Sequence, residues 1–228
     1  MIVYVNGDSH SAGAQAVNPY CFANDDALYV GLGRQAHPDN LRVSYGCEIA
    51  NKLNAMLDCD AESASSNARI IRTTRDYLKN NSPDLIIIGW SNWTREEYLY
   101  DGIYWQIAGV GVGLDWPAAV VEWHRDWVIN NNYNQRVIES HNAIWEFHQE
   151  LEHIPHLFFN CYDTFTQVPK RDWGDSYVGP YDHELTYRAW LNNRGFQTVN
   201  PGSHHYGADA HRAWAEFLYT NYDIICKR

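Results

Sequence analysis

The sequence predicts an α/β protein, a three-layer α/β/α sandwich around a mainly parallel five-stranded sheet. Short apolar segments that end on polar residues recur along the chain, and stretches with helical periodicity separate them. This alternation is typical of a parallel sheet with helices on both faces. The 228 residues fit one α/β domain, and no repeat or linker divides them. We therefore expect a single domain over residues 1–228.

The elements follow from these patterns in chain order. Strands are expected at the segments 2–5, 57–61, 84–89 and 156–160. After Asp84, the segment 84–89 is a continuous apolar run, as in strands buried on both faces. Helices are expected at 44–56, with Ser44 as N-cap, and at 68–79, 118–130, 134–152, 183–192 and 208–219. Irregular polar or aromatic segments are expected at 10–41, 96–116 and 161–182.

Composition restricts the class of partner. The net charge of −11 and the lack of a basic stripe disfavour binding to nucleic acid or to an anionic membrane. No apolar run reaches the roughly 18 residues of a membrane span, and no secretion leader precedes the first strand. The five scattered cysteines are typical of free thiols. We expect a cytoplasmic protein, and association with a virion or secretion by another route stays open.

Small polar clusters follow three of the predicted strands, and a fourth cluster precedes the last helix. Carboxyl ends of parallel strands meet at one edge of a sheet, where open α/β folds hold their ligands. Taken alone, each cluster is also ordinary turn chemistry. The four clusters are Gly7-Asp8-Ser9, Ser65-Ser66-Asn67, Ser91-Asn92 and Ser203-His204-His205-Tyr206-Gly207.

In order and content these clusters resemble the four blocks of the SGNH, or GDSL-like, hydrolases. The resemblance implies a flavodoxin-like sheet and a serine esterase that needs no cofactor or metal. It implies Ser9 as the nucleophile, with Asp8 beside it and His10 where Leu is commonest. Oxyanion-hole donors would be the N–H groups of Ser9 and Ser66, although the family usually has Gly at the second position.

The third and fourth blocks complete this implied site. The resemblance assigns the Asn92 amide to the oxyanion hole and Asn67 as a supporting polar residue. It assigns the general base to His205, with His204 as the competing choice. The family usually has Asp three residues before this histidine, where this chain has Gly202. Asp182, Asp209 or a main-chain carbonyl then remain as candidates to orient the imidazole. Segments 10–41, 93–152 and 161–200 are insertions that the resemblance does not explain.

The implied reaction is ester hydrolysis through an acyl-serine. A serine hydroxyl is a weak nucleophile, so an imidazole must take its proton and return it to the leaving group. The 10 Trp and 16 Tyr are suited to stacking on sugars, and filling the core between long helices is the alternative role for many of them. We therefore expect a short acyl group, such as acetyl, on a carbohydrate or another small-molecule ester. The aromatic loops resemble those of phage-borne members.

Two other functions stay open. A non-catalytic glycan-binding or structural module on the same fold would account for the missing Asp. A metal-dependent phosphoesterase would use imidazole and carboxylate ligands, although the metallophosphoesterase motifs are absent. Its candidate ligands would be Asp8, His10, His204, His205, Asp209 and His211.

Overall fold

A five-stranded parallel sheet forms the centre of the protein. The structure is a computed structural model and describes residues 1–21, 36–109 and 116–226. The strands of the central sheet are β1 (Ile2–Gly7), β2 (Met56–Cys59), β3 (Leu85–Trp90), β6 (His156–Asn160) and β7 (Tyr177–Val178). Their spatial order is β2-β1-β3-β6-β7, and every pair is parallel. Counted within the sheet, this is the flavodoxin-like order 2-1-3-4-5, so the predicted fold class is confirmed.

Helices cover both faces of this sheet because its strands alternate their side chains between two cores. Val3 and Val5 face one core, and Tyr4 faces the other. The helices are α1 (Pro38–Leu41), α2 (Tyr45–Lys52), α3 (Asn67–Leu78), α4 (Ala118–Asn130), α5 (Tyr133–Glu150), α6 (Tyr187–Asn193), α7 (Ala208–Asn221) and α8 (Asp223–Cys226). Helices α2, α6 and α7 pack on the first core, and α3 and α5 on the second.

Local sequence explains where several helices begin. Ser44 caps α2 as expected, and its hydroxyl accepts a hydrogen bond from the Cys47 N–H at 3.3 Å. Asn132 caps α5 in the same way, through the Gln135 N–H at 3.2 Å. A side-chain oxygen at this position satisfies one of the N–H groups that the first helical turn leaves free.

The prediction of irregular structure at 96–116 is wrong for most of its described part. Residues 95–108 form an antiparallel hairpin of β4 (Arg95–Tyr100) and β5 (Ile103–Ala108). Its two-residue turn is Asp101-Gly102, with φ of 51° and 75°. Asp-Gly between β-forming residues is a strong hairpin signal. Gly111 and Gly113 lie outside the described residues.

Smaller differences concern short elements. Strand β7 and the 3₁₀ turn at His183–Leu185 occupy segments predicted as loop and helix, and α6 follows that turn. Two residues of β7 are too few for any periodic signal. Of the predicted loop 10–41, residues 22–35 lie outside the described part, and α1 forms near its end. Within the described ranges, none of the helices has both the length and the apolar character that crossing a bilayer needs.

Candidate active site

The ends of β1 and β3 form the floor of the candidate site. Gly7 and Gly89 are register partners across these strands, and Ser11 packs over both. A Cβ at Gly7 would lie 2.1 Å from Ser11 Oγ, and one at Gly89 would lie 2.7 Å from it. Only glycine fits at either position, and the close packing fixes the turn that carries Asp8 and Ser9.

A buried ion pair ties this turn to the next two strand ends. The Asp8 carboxylate accepts hydrogen bonds from Arg95 at 2.8 Å, from the Ser91 hydroxyl at 3.1 Å and from the His10 N–H at 3.0 Å. Arg95 also donates to the Tyr162 hydroxyl at 3.0 Å. Asp8 is fully buried. Its carboxylate is thus used in holding strand ends together.

The electrostatics of Asp8 follow from this arrangement. Burial alone would raise the pKa of the carboxyl group, since it disfavours the charged form. The neighbouring His10 and Arg95 and the hydrogen-bond donors outweigh burial, and the pKa lies below its ordinary value. Asp8 is therefore an anion at neutral pH.

Ser9 lies on the loop that follows Asp8 and is 3% exposed. Its carbonyl accepts a hydrogen bond from the Ala14 N–H at 2.9 Å, which closes the loop on itself. Among the described residues, nothing accepts a hydrogen bond from the Ser9 N–H, and the hydroxyl has no hydrogen bond to His205. Nucleophile–base hydrogen bonds are often long in ligand-free sites.

The second block lies at the start of α3. Ser66 is its N-cap, and the Ser66 hydroxyl accepts from the Arg69 N–H at 3.1 Å. The Ser66 N–H donates to no described residue. Asn67 exchanges two hydrogen bonds with the backbone of Ser91, at 2.8 Å and 3.3 Å. Asn67 thus fixes α3 to the end of β3.

Asn92 presents donors at the same edge. Its side-chain oxygen accepts from both the N–H and the hydroxyl of Thr94, at 2.8 Å and 2.6 Å. These two bonds fix the orientation of the amide group. In the described part of the chain, the Asn92 NH₂ group donates to nothing, so its two N–H donors remain available to a ligand.

His205 is hydrogen-bonded to the loop that carries Ser9. The Nδ1 atom of His205 lies 2.7 Å from Oε1 of Gln15 and 3.3 Å from Oγ of Ser203. The Ser203 hydroxyl donates to the same Gln15 oxygen at 2.8 Å. The pKa of His205 is lowered, first by burial and then by His204 and Arg95, which outweigh the opposing effect of Asp8.

His10 lies between this imidazole and an aromatic wall. Its ring centroid is 5.7 Å from that of His205 and 5.1 Å from those of Tyr162 and Tyr187. Burial lowers the pKa of His10 to about 3, with Asp8 opposing the shift, so the ring is neutral at physiological pH. The Nε2 atom of His10 is buried and has no hydrogen-bond partner among the described residues.

The remaining candidates make no hydrogen bond to the His205 imidazole. His204 is exposed, as are Asp182 and Asp209. Asp182 accepts a hydrogen bond from the Glu184 N–H at 3.0 Å and caps the 3₁₀ turn. Neither aspartate is hydrogen-bonded to His205. His211 is buried in the core, 3.3 Å from the Tyr187 hydroxyl.

Two further observations describe the surroundings. Within the described ranges, no group of three or more His, Cys, Asp or Glu side chains is arranged to hold a metal ion. A cavity of about 130 Å³ opens beside Asn67 and Arg95. Its lining combines charged side chains with apolar ones and includes none of Ser9, Asn92 and His205. The charged members are Glu96, Arg136 and Glu139, and the apolar ones are Ala68, Ile71, Trp93 and Ala143.

Comparison with known proteins gives matches in structure alone. No protein-family model matches the chain, and no curated protein matches it in sequence. An alpha/beta hydrolase enzyme from the metagenome of Lake Arreo, Spain, aligns with a TM-score of 0.50 at 8% identity, over 98% of this chain and 95% of that one. The two sheets therefore share their architecture. At 8% identity this likeness shows a shared α/β fold alone.

Two other solved structures are similar at lower scores. A psychrotrophic esterase from Pseudoalteromonas sp. aligns with a TM-score of 0.49 at 9% identity, over 100% of this chain and 99% of that chain. A lipolytic protein of the G-D-S-L family from Desulfitobacterium hafniense DCB-2 aligns with a TM-score of 0.47 at 11% identity, over 95% and 97%. At these identities the likeness concerns the fold alone.

Sequence reasoning did not find three residues that organise this site. Arg95 donates to Asp8, the Tyr162 hydroxyl accepts from Arg95, and Gln15 contacts His205. Arg95 follows Ser91 by four positions, and a buried carboxylate such as Asp8 requires a cation. That requirement was the available signal for Arg95. No pattern marks Gln15, whose contact with His205 spans 190 positions.

Proposed function

We propose that this protein is a serine hydrolase that cleaves carboxylic esters. Ser9 is the nucleophile and His205 the general base. The observation that carries the proposal is the hydrogen-bonded contact between His205 and the loop of Ser9, at the edge where Asn92 presents free amide donors. These groups come from three distant parts of the chain, and acyl transfer needs this set of chemistries.

The reaction has two steps, acylation of Ser9 and hydrolysis of the acyl-enzyme. As Ser9 Oγ bonds to the ester carbon, its proton passes to Nε2 of His205 and the carbonyl electron pair moves to oxygen. The resulting oxyanion takes hydrogen bonds from the N–H groups of Ser9 and Ser66 and from the Asn92 amide. His205 then gives the proton to the departing alcohol as the C–O bond breaks. A water molecule then attacks the carbonyl carbon of the acyl-Ser9 and gives its proton to His205. His205 passes this proton to Ser9 Oγ as the acyl C–O bond breaks and the acid leaves.

The proposed substrate is a short acyl ester, acetyl in particular, on a carbohydrate. The small volume of the cavity beside Asn67 and Arg95, about 130 Å³, supports a small substrate. Tyr162, which is half-buried beside His10, supports a ring-shaped one, since aromatic faces stack on the apolar faces of sugars.

The test is hydrolysis of acetylated sugars and of a long-chain acyl ester by the full chain, with and without EDTA. We expect acetyl esters to be cleaved faster than long-chain esters and EDTA to have no effect. Ser9→Ala abolishes activity, while Ser82→Ala, at an exposed serine before β3, retains it. Full activity in Ser9→Ala would overturn the serine mechanism, and faster cleavage of long-chain esters would overturn the substrate class.

A further inference from the structure

Among the described residues, no carboxylate is hydrogen-bonded to Nδ1 of His205, and the side-chain amide of Gln15 lies there at 2.7 Å. We propose that Gln15 is the positioning residue that orients His205 and fixes its tautomer. This inference rests on the proposed function, because it concerns the proton that His205 takes from Ser9. It replaces the acidic residue that the sequence left without a match.

The direction of the hydrogen bond between these two side chains is set by the anchoring of the Gln15 amide. Its Nε2 atom donates to the Pro19 carbonyl at 3.1 Å. A carbonyl can only accept, so the NH₂ end of the amide must face Pro19 and Oε1 must face His205. Because Oε1 is an acceptor, the atom 2.7 Å away, Nδ1 of His205, carries a proton.

Ser203 leads to the same assignment. Its hydroxyl donates to Gln15 Oε1 at 2.8 Å, and its oxygen accepts a hydrogen bond from the backbone N–H of His205 at 3.0 Å. The hydroxyl proton is thus already used, and the 3.3 Å contact with Nδ1 also requires the proton to be on Nδ1. A neutral imidazole protonated at Nδ1 has its lone pair on Nε2, which is the form that can deprotonate a serine.

The backbone at Gln15 gives independent support. Its φ is +62°, a left-handed conformation that is unfavourable for a residue with a side chain. Such conformations persist where surrounding contacts impose them, and they cluster at functional sites. The loop that strains Gln15 is the one closed by the hydrogen bond between Ala14 and Ser9, so one segment carries both the nucleophile and the group that orients its base.

An amide differs from a carboxylate in charge, and this difference makes the inference testable. Gln15→Glu places a carboxylate on Nδ1, and an opposite charge at this distance raises an imidazole pKa by about 1–3 units. The other charged or titratable groups that interact with His205 are Asp8, His204, Arg95, His10 and His211, and the variant leaves them unchanged. The acid limb of the pH–rate profile should therefore move to higher pH by the same amount.

Gln15→Ala removes the acceptor and should slow ester hydrolysis and labelling of Ser9 by a fluorophosphonate by about tenfold or more. The matched control is Gln167, an exposed glutamine with φ of +57°. Gln167→Ala and Gln167→Glu impose the same backbone cost and the same charge change, and they should leave rates and pH profile unchanged. Nitrogen-15 NMR of the His205 ring reports the tautomer without any need for activity.

The outcomes separate the two proposals. The inference is supported if the wild type is labelled, Gln15→Ala reacts slowly and the pH–rate profile of Gln15→Glu is shifted. The proton on Nδ1 of His205 should also depend on Gln15. Labelled wild type with unchanged Gln15 variants overturns the inference and leaves the serine hydrolase standing. If the folded wild type is neither labelled nor active, the proposed function fails. The NMR spectrum still decides whether Gln15 holds the Nδ1 proton. If Gln15→Ala does not fold, Gln15→Glu alone decides through its pKa shift.

Discussion

Removing the cation from the buried pair at the strand ends should be strongly destabilising. In Arg95→Met, Asp8 loses its ion pair and Tyr162 loses its donor, and the carboxylate remains fully buried. Breaking a buried pair from one side costs about 3–5 kcal/mol. Because 18% of the Arg95 side chain is exposed, we expect about 3–4 kcal/mol. For a chain of this length, that lowers Tm by roughly 6–16 °C.

The matched control is Arg75→Met. Arg75 makes a two-point ion pair with Glu150, but both side chains are about half exposed. An exposed pair contributes about 0–1 kcal/mol. Urea denaturation followed by circular dichroism would measure both variants. Equal losses in the two variants would refute the reasoning, since the argument depends on burial.

The dependence on pH provides a second check of the same pair. The pKa of Asp8 is lowered in the folded state, so its ionisation stabilises the fold above its unfolded pKa of about 3.9. This contribution is lost as the pH falls through the folded value. The difference in stability between wild type and Arg95→Met should therefore shrink below about pH 4. A difference that stays constant to pH 3 would contradict the assignment.

Four further predictions follow from the site and the core. Asn92→Ala should lower kcat by about 10²–10³ with little change in KM, as expected for one lost oxyanion donor; an unchanged kcat in steady-state assays argues against this role. Ester hydrolysis should persist below pH 6.5, since burial lowers the pKa of His205 and the base stays unprotonated there; a pH–rate profile with its acid limb above 6.5 contradicts this. The pKa of His156 is lowered to about 4, mainly by burial, so wild type should lose up to about 3 kcal/mol between pH 6.5 and 4 through this group, as the unfolded state binds the proton first. Denaturation of His156→Leu should show a correspondingly weaker pH dependence. Gly89→Ala should cost about 1–3 kcal/mol by overpacking, whereas Gly202→Ala, whose Cβ would meet only a side-chain oxygen at 3.5 Å, should be near neutral; equal melting temperatures would refute the packing argument.

The parts of the fold that local patterns determine were predictable. Residues 156–160 form a strand with the expected bounds, and the strand predicted at 84–89 is shifted by one residue, to Leu85–Trp90. Continuous apolar segments between polar turns have few alternative structures. The hairpin at 95–108 was missed although Asp101-Gly102 marks its turn. Its strands carry charged and aromatic residues without a clear apolar face, so the turn was the stronger signal.

The candidate site, like the fold, was predictable only in part from the sequence. The clusters that contain Ser9, Ser66, Asn92 and His205 are visible in sequence because each follows a strand or precedes a helix. The contacts of Gln15 and Arg95 are not, because they depend on how loops that are distant in the chain fold over one edge. Their partners, His205 and Asp8, lie 190 and 87 positions away.

The most direct test of the account is the chemical reactivity of Ser9. The folded full-length chain is treated with a fluorophosphonate, and the adduct is located by tandem mass spectrometry, which distinguishes Ser9 from Ser11 in the same peptide. We predict one adduct, on Ser9, formed faster as His205 loses its proton and absent from His205→Ala. A folded protein that remains unlabelled, or that carries the label on another residue, would contradict the assignment of Ser9 as nucleophile.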